Sequence, residues 1–488
     1  MDGDARRPAR TALGGSDLPE ARLTVWGEAE CRRLHAATLE LLADTGVDVR
    51  YEPALALFSA AGASVDGRRV RIPARLVDEA LASAPREWLL KPRGGDTAAL
   101  VLRDGEVYYG TGSDVLYVRD PETGERRRVR RADVEGMAAV CEALPNIDFI
   151  MSMGLPEDAP QGIDDLVQVV AMLRGTRKPL LVAPRDGSVL ARMQQMAAAC
   201  GERDSFGIYA MPSPPLMHDP DALTKVIGCA ELLIPLIYAP APNMGATGPR
   251  SITGAVLVGN AETLSGLVLH QHVKKGAPFV YGVGAGAMDM RTMTDPYVSP
   301  DALLAQQVGT DMARHYGLPS FSYAGMSDSK LLDEQWSAEA ALSMAYGSLS
   351  RATLLHDVGY LESGLQSSYE SIVLGDELVG YARQFMREVP VDEYSLALEE
   401  IKAAGPGGNH LGTKYTRRHH REFWTPALLD HNVHDRWAAE GATTLGARVR
   451  ERLAGLLAAG RPFALTADQD AQLEALLDEA LDDQSARV

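Results

Sequence analysis

Pro179-Leu-Leu-Val-Ala183, Gly207-Ile-Tyr-Ala-Met211 and Leu236-Ile-Tyr-Ala239 are three short apolar runs, and the helical stretches Val189–Cys200 and Pro220–Leu233 lie between them. A strand, a helix and a second strand in this order read as a parallel pair joined by a right-handed crossover. Outward from this window the unit recurs. Further strand candidates are Val107–Gly110, Phe149–Met153, Phe279–Gly282, Ser320–Ala324 and Thr353–Asp357. Helical segments follow them at Ala132–Ala143, Gly162–Arg174, Ser251–Val273, Ser299–Tyr316, Glu334–Leu349 and Ser367–Arg387. Eight such units over roughly 280 residues predict an α/β fold of the closed (β/α)8 TIM-barrel type. An open doubly wound sheet is the alternative if one of the weaker strands, the first above all, fails.

The remaining chain frames the barrel. Residues 1–20 are polar and rich in Arg, Gly and Asp, which predicts disorder. Residues 21–100 alternate short helices (28–45, 53–61, 73–83) with a strand at Val70–Ile72, an N-terminal α/β cap. The barrel is expected within 101–400, and a C-terminal loop and helical extension within 401–488, with helices at Ala447–Ala459 and Asp468–Leu481.

Composition excludes several functions. Acidic residues outnumber Lys and Arg 66 to 48, for a formal charge of −18, a poor basis for nucleic-acid binding. The basic run Arg126 to Arg131 reads as a solvated strand end. Cys31, Cys141, Cys200 and Cys229 lack metal or redox spacing and read as buried thiols. With no leader-like start and no stretch read as long and apolar enough to span a bilayer, the expected location is cytoplasmic, with no membrane partner.

In a barrel the chemistry sits in the loops after the strands. These loops carry few charges: Asp114, Asp289, Arg291, Asp328, Lys330, His356, Asp357 and Glu362. Aromatic residues fall near the strand ends at Tyr109, Tyr281, Tyr323, Trp336 and Tyr360. Aromatic faces with one or two carboxylates suit a small organic cation, although aromatics on barrel strands are also ordinary core. No phosphate-binding glycine motif, zinc-protease motif or nucleophile elbow is present.

At these loops the sequence resembles the trimethylamine methyltransferase family. The resemblance rests on Asn243-Met-Gly-Ala-Thr-Gly-Pro249 with Thr253-Gly-Ala-Val-Leu-Val-Gly-Asn-Ala-Glu262, and on Asp289-Met-Arg-Thr292 and Ser327-Asp-Ser-Lys330. It also includes Gly405-Pro-Gly-Gly-Asn-His-Leu-Gly412 and Glu422-Phe-Trp-Thr-Pro426. It runs from about Arg22 to Gly441. It implies a (β/α)8 fold and methyl transfer from an amine to Co(I) of a corrinoid. The corrinoid (cobalamin) is supplied by a small partner protein, with no cofactor bound tightly by the chain itself. Archaeal trimethylamine enzymes carry pyrrolysine, placed by resemblance in or near Ser327–Lys330, where this chain has standard residues. His356-Asp-Val-Gly-Tyr-Leu361 resembles the betaine-type members.

That difference makes chemical sense. A quaternary ammonium loses a methyl group to leave a neutral tertiary amine, so no proton is needed. The protein then has to hold the cation in line and exclude water, without a catalytic side chain in the ordinary sense. The expected substrate is glycine betaine, proline betaine or a carnitine-like amine. A betaine carboxylate needs a donor: His356 first, Asn243 or Arg291 as alternates. Asp289 and Asp328 are candidates to face the cation or to cap local turns, and Lys330 either lies by the substrate or pairs with Asp333 or Glu334. The alternatives are a tertiary amine substrate, a non-catalytic betaine-binding relative, or a lyase or aldolase, which would want a lysine inside a strand. A homo-oligomer is expected, with Thr425–Trp437 as interface.

Overall fold

The structure, a computed structural model, describes residues 21–94 and 98–485. The stretch 1–20, read above as disordered, lies outside the described residues.

All eight barrel strands form where the alternation placed them: β1 (Tyr108–Tyr109), β2 (149–150), β3 (Leu180–Val182), β4 (Phe206–Ala210), β5 (Leu236–Tyr238), β6 (Phe279–Gly282), β7 (Ser320–Tyr323) and β8 (Leu354–His356). Every neighbouring pair is parallel, with Ile208 beside Leu236, Leu236 beside Phe279 and Phe321 beside Leu354. Leu354 pairs with Tyr108, Gly110 bridges Phe149 and Ile150 bridges Leu180, so the ring closes and no strand edge is left.

The crossover helices are α1 (Arg131–Ala143), α2 (Asp164–Gly175), α3 (Leu190–Ala199), α4 (Pro220–Leu232), α5 (Ile252–Val273), α6 (Pro300–Tyr316), α7 (Glu334–Ser350) and α8 (Tyr369–Phe385). Local chemistry starts several of them. Ser251, Ser299, Asp333 and Ser368 each accept the amide of the residue three positions on, and Pro220 and Pro300 occupy first turns.

Alternation along the strands sorts the core into two compartments. Leu180, Ile208, Leu236 and Tyr238 point outward to the helices, while Phe149, Leu181, Ile237, Val280, Phe321 and Leu354 fill the interior. The hairpin Trp88–Leu90 and Leu100–Leu102 packs onto that interior from the end where the strands begin. Its link to that end is direct: Lys91 N donates to Asp204 O and Arg93 N to Arg177 O. The barrel is therefore stoppered at one end and open only at the other.

The cap leans on α5 through its helices Glu28–Asp44 and Ala74–Ser83. Its strand Val47–Val49 continues beyond the cap sheet by pairing in parallel with Met217–His218, in the loop after β4. C-terminal helices Leu445–Ala458 and Ala467–Ser485 cover α8 and α2–α3 respectively, the latter through Arg174–Asp470 at 2.6 Å and Arg192–Asp483 at 2.8 Å.

One sequence expectation needs correcting. Helix α5 is long and apolar enough to cross a membrane, but 72% of its apolar window is buried inside the protein, with cap helices on one side and the barrel on the other. It is a core helix with polar residues in place: Asn260 bonds Thr38 and Tyr316, and Thr263 bonds Gly282 O.

Glu262 and His270 in α5 are less fully satisfied, His270 through a buried Nε2 without a partner. Glu262 Oε1 accepts Leu216 N at 2.5 Å, but Oε2 is buried without a partner, and burial pushes the carboxyl up to about 8. Its folded value exceeds the unfolded one, so the stability it contributes is full at low pH and is lost as pH rises through about 8. Glu262→Gln keeps the acceptor and cannot ionise. We expect the melting temperature of the variant to fall less than that of the wild type between pH 7 and 9. Parallel melting curves across that range contradict the assignment.

Candidate functional site

The open end is lined by side chains that a sequence cannot face inward or outward by itself. Phe321 and Tyr323 on β7, Leu354 and His356 on β8, and Tyr209 on β4 follow the inward parity. Phe321 forms the floor: its ring stacks on His356 with centroids 4.1 Å apart and lies 5.1 Å from Tyr209. Above it Tyr323 meets His356 edge-on at 6.5 Å and stacks with Tyr297 at 6.2 Å. Tyr209, Tyr297, Tyr323 and His356 are only half-buried although they belong to the barrel interior, so a space opens between them.

Carboxylates surround these rings. Burial raises the hydroxyls of Tyr209 and Tyr360, and the negative charges of Asp357 and Asp114 push both further up. The same holds for Tyr297 and Tyr323, where Asp357, Asp295 and Asp328 contribute. Asp114 itself is pushed up to about 6 by burial, partly offset by Gln168 Nε2 at 3.2 Å and Ser152 Oγ at 3.3 Å. Asp295 is also raised by burial, against a hydrogen bond with Asn243. Asp295 Oδ1 and Asn243 Oδ1 are buried acceptors with no donor. Four tyrosines and these aspartates make a small negative cup that favours a positive guest.

Among the described residues His356 is the basic group in the cup. Its Nδ1 lies 2.7 Å from Asp357 Oδ1, off the axis of a hydrogen bond, and its Nε2 has no partner among the described residues. A carboxylate beside Nδ1 favours a proton there, so the open Nε2 is an acceptor in the neutral ring and a donor only in the imidazolium. Asp357, at the end of β8, adopts a left-handed φ of +68°.

The loops around the cup are stitched together. Asn243–Met244 pairs with Gly286–Ala287, joining the loops after β5 and β6. Gln366–Ser368 pairs with Tyr117–Arg119, and that strand pairs with Arg126–Arg128, joining the loops after β8 and β1. The basic run is a largely exposed strand leading into α1, as its sequence suggested, and its side chains are paired: Arg126 lies over the Tyr117 ring at 3.3 Å and pairs with Glu362 at 2.9 Å, and Arg127 pairs with Asp133 at 2.7 Å.

The structure gathers His356, Tyr323 and Tyr360 at the cup, with Asn243 at its side. The others stand elsewhere. Tyr109 and Tyr281 have the opposite parity and point outward, where Tyr109 donates to Ser348 Oγ at 2.8 Å and Tyr281 to Asn260 Oδ1 at 2.7 Å. Trp336, fully buried on α7, backs the cup: its Nε1 donates to Tyr360 O at 3.1 Å. Asp289 and Arg291 pair with each other at 2.8 Å on a surface loop, with the Arg291 side chain 89% exposed and the Asp289 carboxyl held down at about 2 by that partner. Asp328 accepts Tyr297 N at 2.8 Å, Val298 N at 3.2 Å and Ser363 Oγ at 2.7 Å, a turn-capping role beside the cup. Lys330 is exposed and donates to Asp328 O at 2.8 Å, away from Asp333 and Glu334.

Tyr209 and Tyr297 were not singled out from the sequence. Both faces of β4 are apolar, so its alternation gives no inward signal, and Tyr297 sits in a long loop with nothing local to mark it.

A family profile described as trimethylamine methyltransferase (MTTB) matches residues 5–482. The chain is 31% identical to the glycine betaine methyltransferase of Desulfitobacterium hafniense, over 95% of this chain and 98% of that one. It is 29% identical to trimethylamine methyltransferase MttB of the same species, over 98% of each. Among solved structures, the monomethylamine methyltransferase MtmB of Methanosarcina barkeri matches with a TM-score of 0.52 at 12% identity, covering 95% of this chain and 89% of that one, a likeness of fold.

Proposed function

Because the chain belongs to the trimethylamine methyltransferase family, we propose that it demethylates a small quaternary amine, passing the methyl group to Co(I) of a corrinoid carried by a separate protein. The observation that carries this reading is the cup of Tyr209, Tyr297, Tyr323 and Tyr360 among Asp114, Asp295 and Asp357. The relative named as a glycine betaine methyltransferase supports a betaine-like substrate.

The chemistry asked of the residues is positional. The tyrosine faces and carboxylates hold the ammonium, each well-desolvated ring contributing about 2 kcal/mol. As an imidazolium, His356 offers an Nε2–H donor to a substrate carboxylate. As the methyl carbon bonds to the acceptor, the C–N bond breaks, its electron pair stays on nitrogen, and a neutral tertiary amine remains. No proton moves, in keeping with tyrosine hydroxyls held far above neutrality. The attraction of the cup for nitrogen weakens as charge leaves, which helps product release but requires that binding not be too tight. The half-buried rings face the open end, where a partner-borne acceptor has access, and exposed Met211, Met290, Leu331 and Leu365 on the surrounding loops offer an apolar rim for that partner.

Calorimetry and thermal shift against glycine betaine, proline betaine, carnitine, choline, trimethylamine and dimethylglycine test the reading. We expect one quaternary amine to stabilise the protein, with the effect lost in Tyr209→Leu, and that ligand to methylate a Co(I) corrinoid. Response to tertiary amines alone, or silence across the panel, overturns it.

The pH dependence has a defined sign. Asp114 ionises at about 6 in the free protein, and a permanent cation favours the ionised form. Affinity should therefore rise as pH increases through about 6, and Asp114→Asn should flatten that rise. An unchanged profile in the variant removes Asp114 from the site.

A further inference from the structure

Helix α2 carries a wholly buried run, 166–173, in which Gln168 is the one polar residue. Gln168 is 1% exposed. An amide taken out of water at such a place has to find partners. Gln168 finds them in the loops after β1 and β2, where Nε2 donates to Gly154 O at 2.9 Å and to Asp114 Oδ1 at 3.2 Å. The amide thus reaches from the helix layer to a carboxylate of the cup.

Further contacts hold Asp114 in one attitude. Ser152 Oγ accepts Asp114 N at 3.2 Å and donates to Oδ1 at 3.3 Å. The two loops are joined on either side of Asp114, by Met153 N to Gly112 O and by Leu155 N to Val115 O, each at 2.9 Å. Asp114 itself sits at φ +60°, a left-handed conformation that Asp accepts more readily than most residues. Gln168 and Ser152 both settle on Oδ1, which leaves Oδ2 the freer oxygen. The charge of Asp114 is felt by Tyr209 and Tyr360 on the cup side.

We propose that Gln168 is a positioning residue for the reaction, gripping Asp114 Oδ1 from the helix layer so that Oδ2 meets the ammonium of the substrate, a role that rests on the cup being a quaternary-ammonium site. A donor to a carboxylate favours its ionised form, so Gln168 opposes the burial that pushes Asp114 up. The other groups around Asp114 stay in place when Gln168 is changed. They are Ser113 and Ser152 beside it, and Asp165 on α2, whose negative charge raises it. Lys225 on α4 faces it with Nζ on Pro184 O at 2.8 Å, and Tyr209 and Tyr360 face it as neutral phenols. A shift that follows replacement of Gln168 is therefore its own.

Infrared difference spectroscopy across pH on the full, ligand-free chain tests the proposal, through the protonated-carboxyl band that Asp114→Asn deletes. We expect that band to titrate at about 6 in the wild type and about one pH unit higher in Gln168→Met, the size of one hydrogen bond to a charged group. In calorimetry with the amine panel, the rise of affinity with pH should move by the same amount. Equal infrared midpoints overturn the proposal, as does a binding profile whose midpoint stays where it was. Silence across the panel with the infrared shift present overturns the reading of the cup instead. Should Gln168→Met misfold, the isosteric Gln168→Glu decides, because a second carboxyl against Oδ1 has to raise the band's midpoint. An unmoved midpoint there overturns the proposal as well.

Discussion

Gly112→Ala should abolish ligand binding and lower methyl transfer by about 100-fold, the scale of loss that a misplacement of about 1 Å produces in a positioned reaction. A Cβ at this position would collide with the Tyr360 ring and with Asp357 Oδ1. Neither neighbour has room to yield: Tyr360 is buried, with its hydroxyl on Ser113 O, and Asp357 is 3% exposed beside His356. Overpacking of this kind costs about 1–3 kcal/mol, which a barrel of this size survives. The variant should therefore fold and give a normal far-ultraviolet spectrum while binding nothing from the amine panel. A Gly112→Ala protein with wild-type affinity would place the substrate away from Tyr360 and Asp357.

Trp336→Ala should produce the largest loss of stability among the cup residues and their supports, about 3–5 kcal/mol, the usual range for deleting a fully buried large aromatic. The side chain fills the space behind Tyr360 and its Nε1 satisfies that residue's carbonyl. Trp336→Phe separates the two roles. Ser327 N still donates to Tyr360 O at 3.1 Å, so the missing bond should cost only about 1 kcal/mol. Equal denaturant midpoints for the two variants would show that hydrogen bonding, and not filling of the space, is what Trp336 supplies.

The sequence made the barrel legible because every unit alternates a short apolar run with an amphipathic segment, and capping residues such as Ser251 and Ser299 mark where helices begin. The site was less legible, for a reason specific to barrels. Both faces of a buried parallel strand are apolar, so Tyr281 and Tyr323, each near a strand end, look alike. One-residue parity sends Tyr323 into the cup and Tyr281 to Asn260. His356 was identifiable from the family resemblance together with its place at the end of β8. Tyr297 and Tyr209 required the fold itself, since one reaches the cup from a long loop and the other from a strand with no outward polarity. The membrane-length helix α5 shows the same blindness: a helix enclosed on all sides and one bathed in lipid share a composition.

The hairpin that stoppers the barrel has a kinetic meaning. With Leu90, Leu100 and Leu102 wedged into the far end, the cup has a single doorway. In the proposed reaction the amine must enter before the methyl acceptor arrives at that doorway, and the demethylated amine stays behind it until the acceptor withdraws. First in is last out. Steady-state kinetics should then be sequential and ordered, and a large excess of acceptor protein should slow turnover by shutting the doorway on an empty cup.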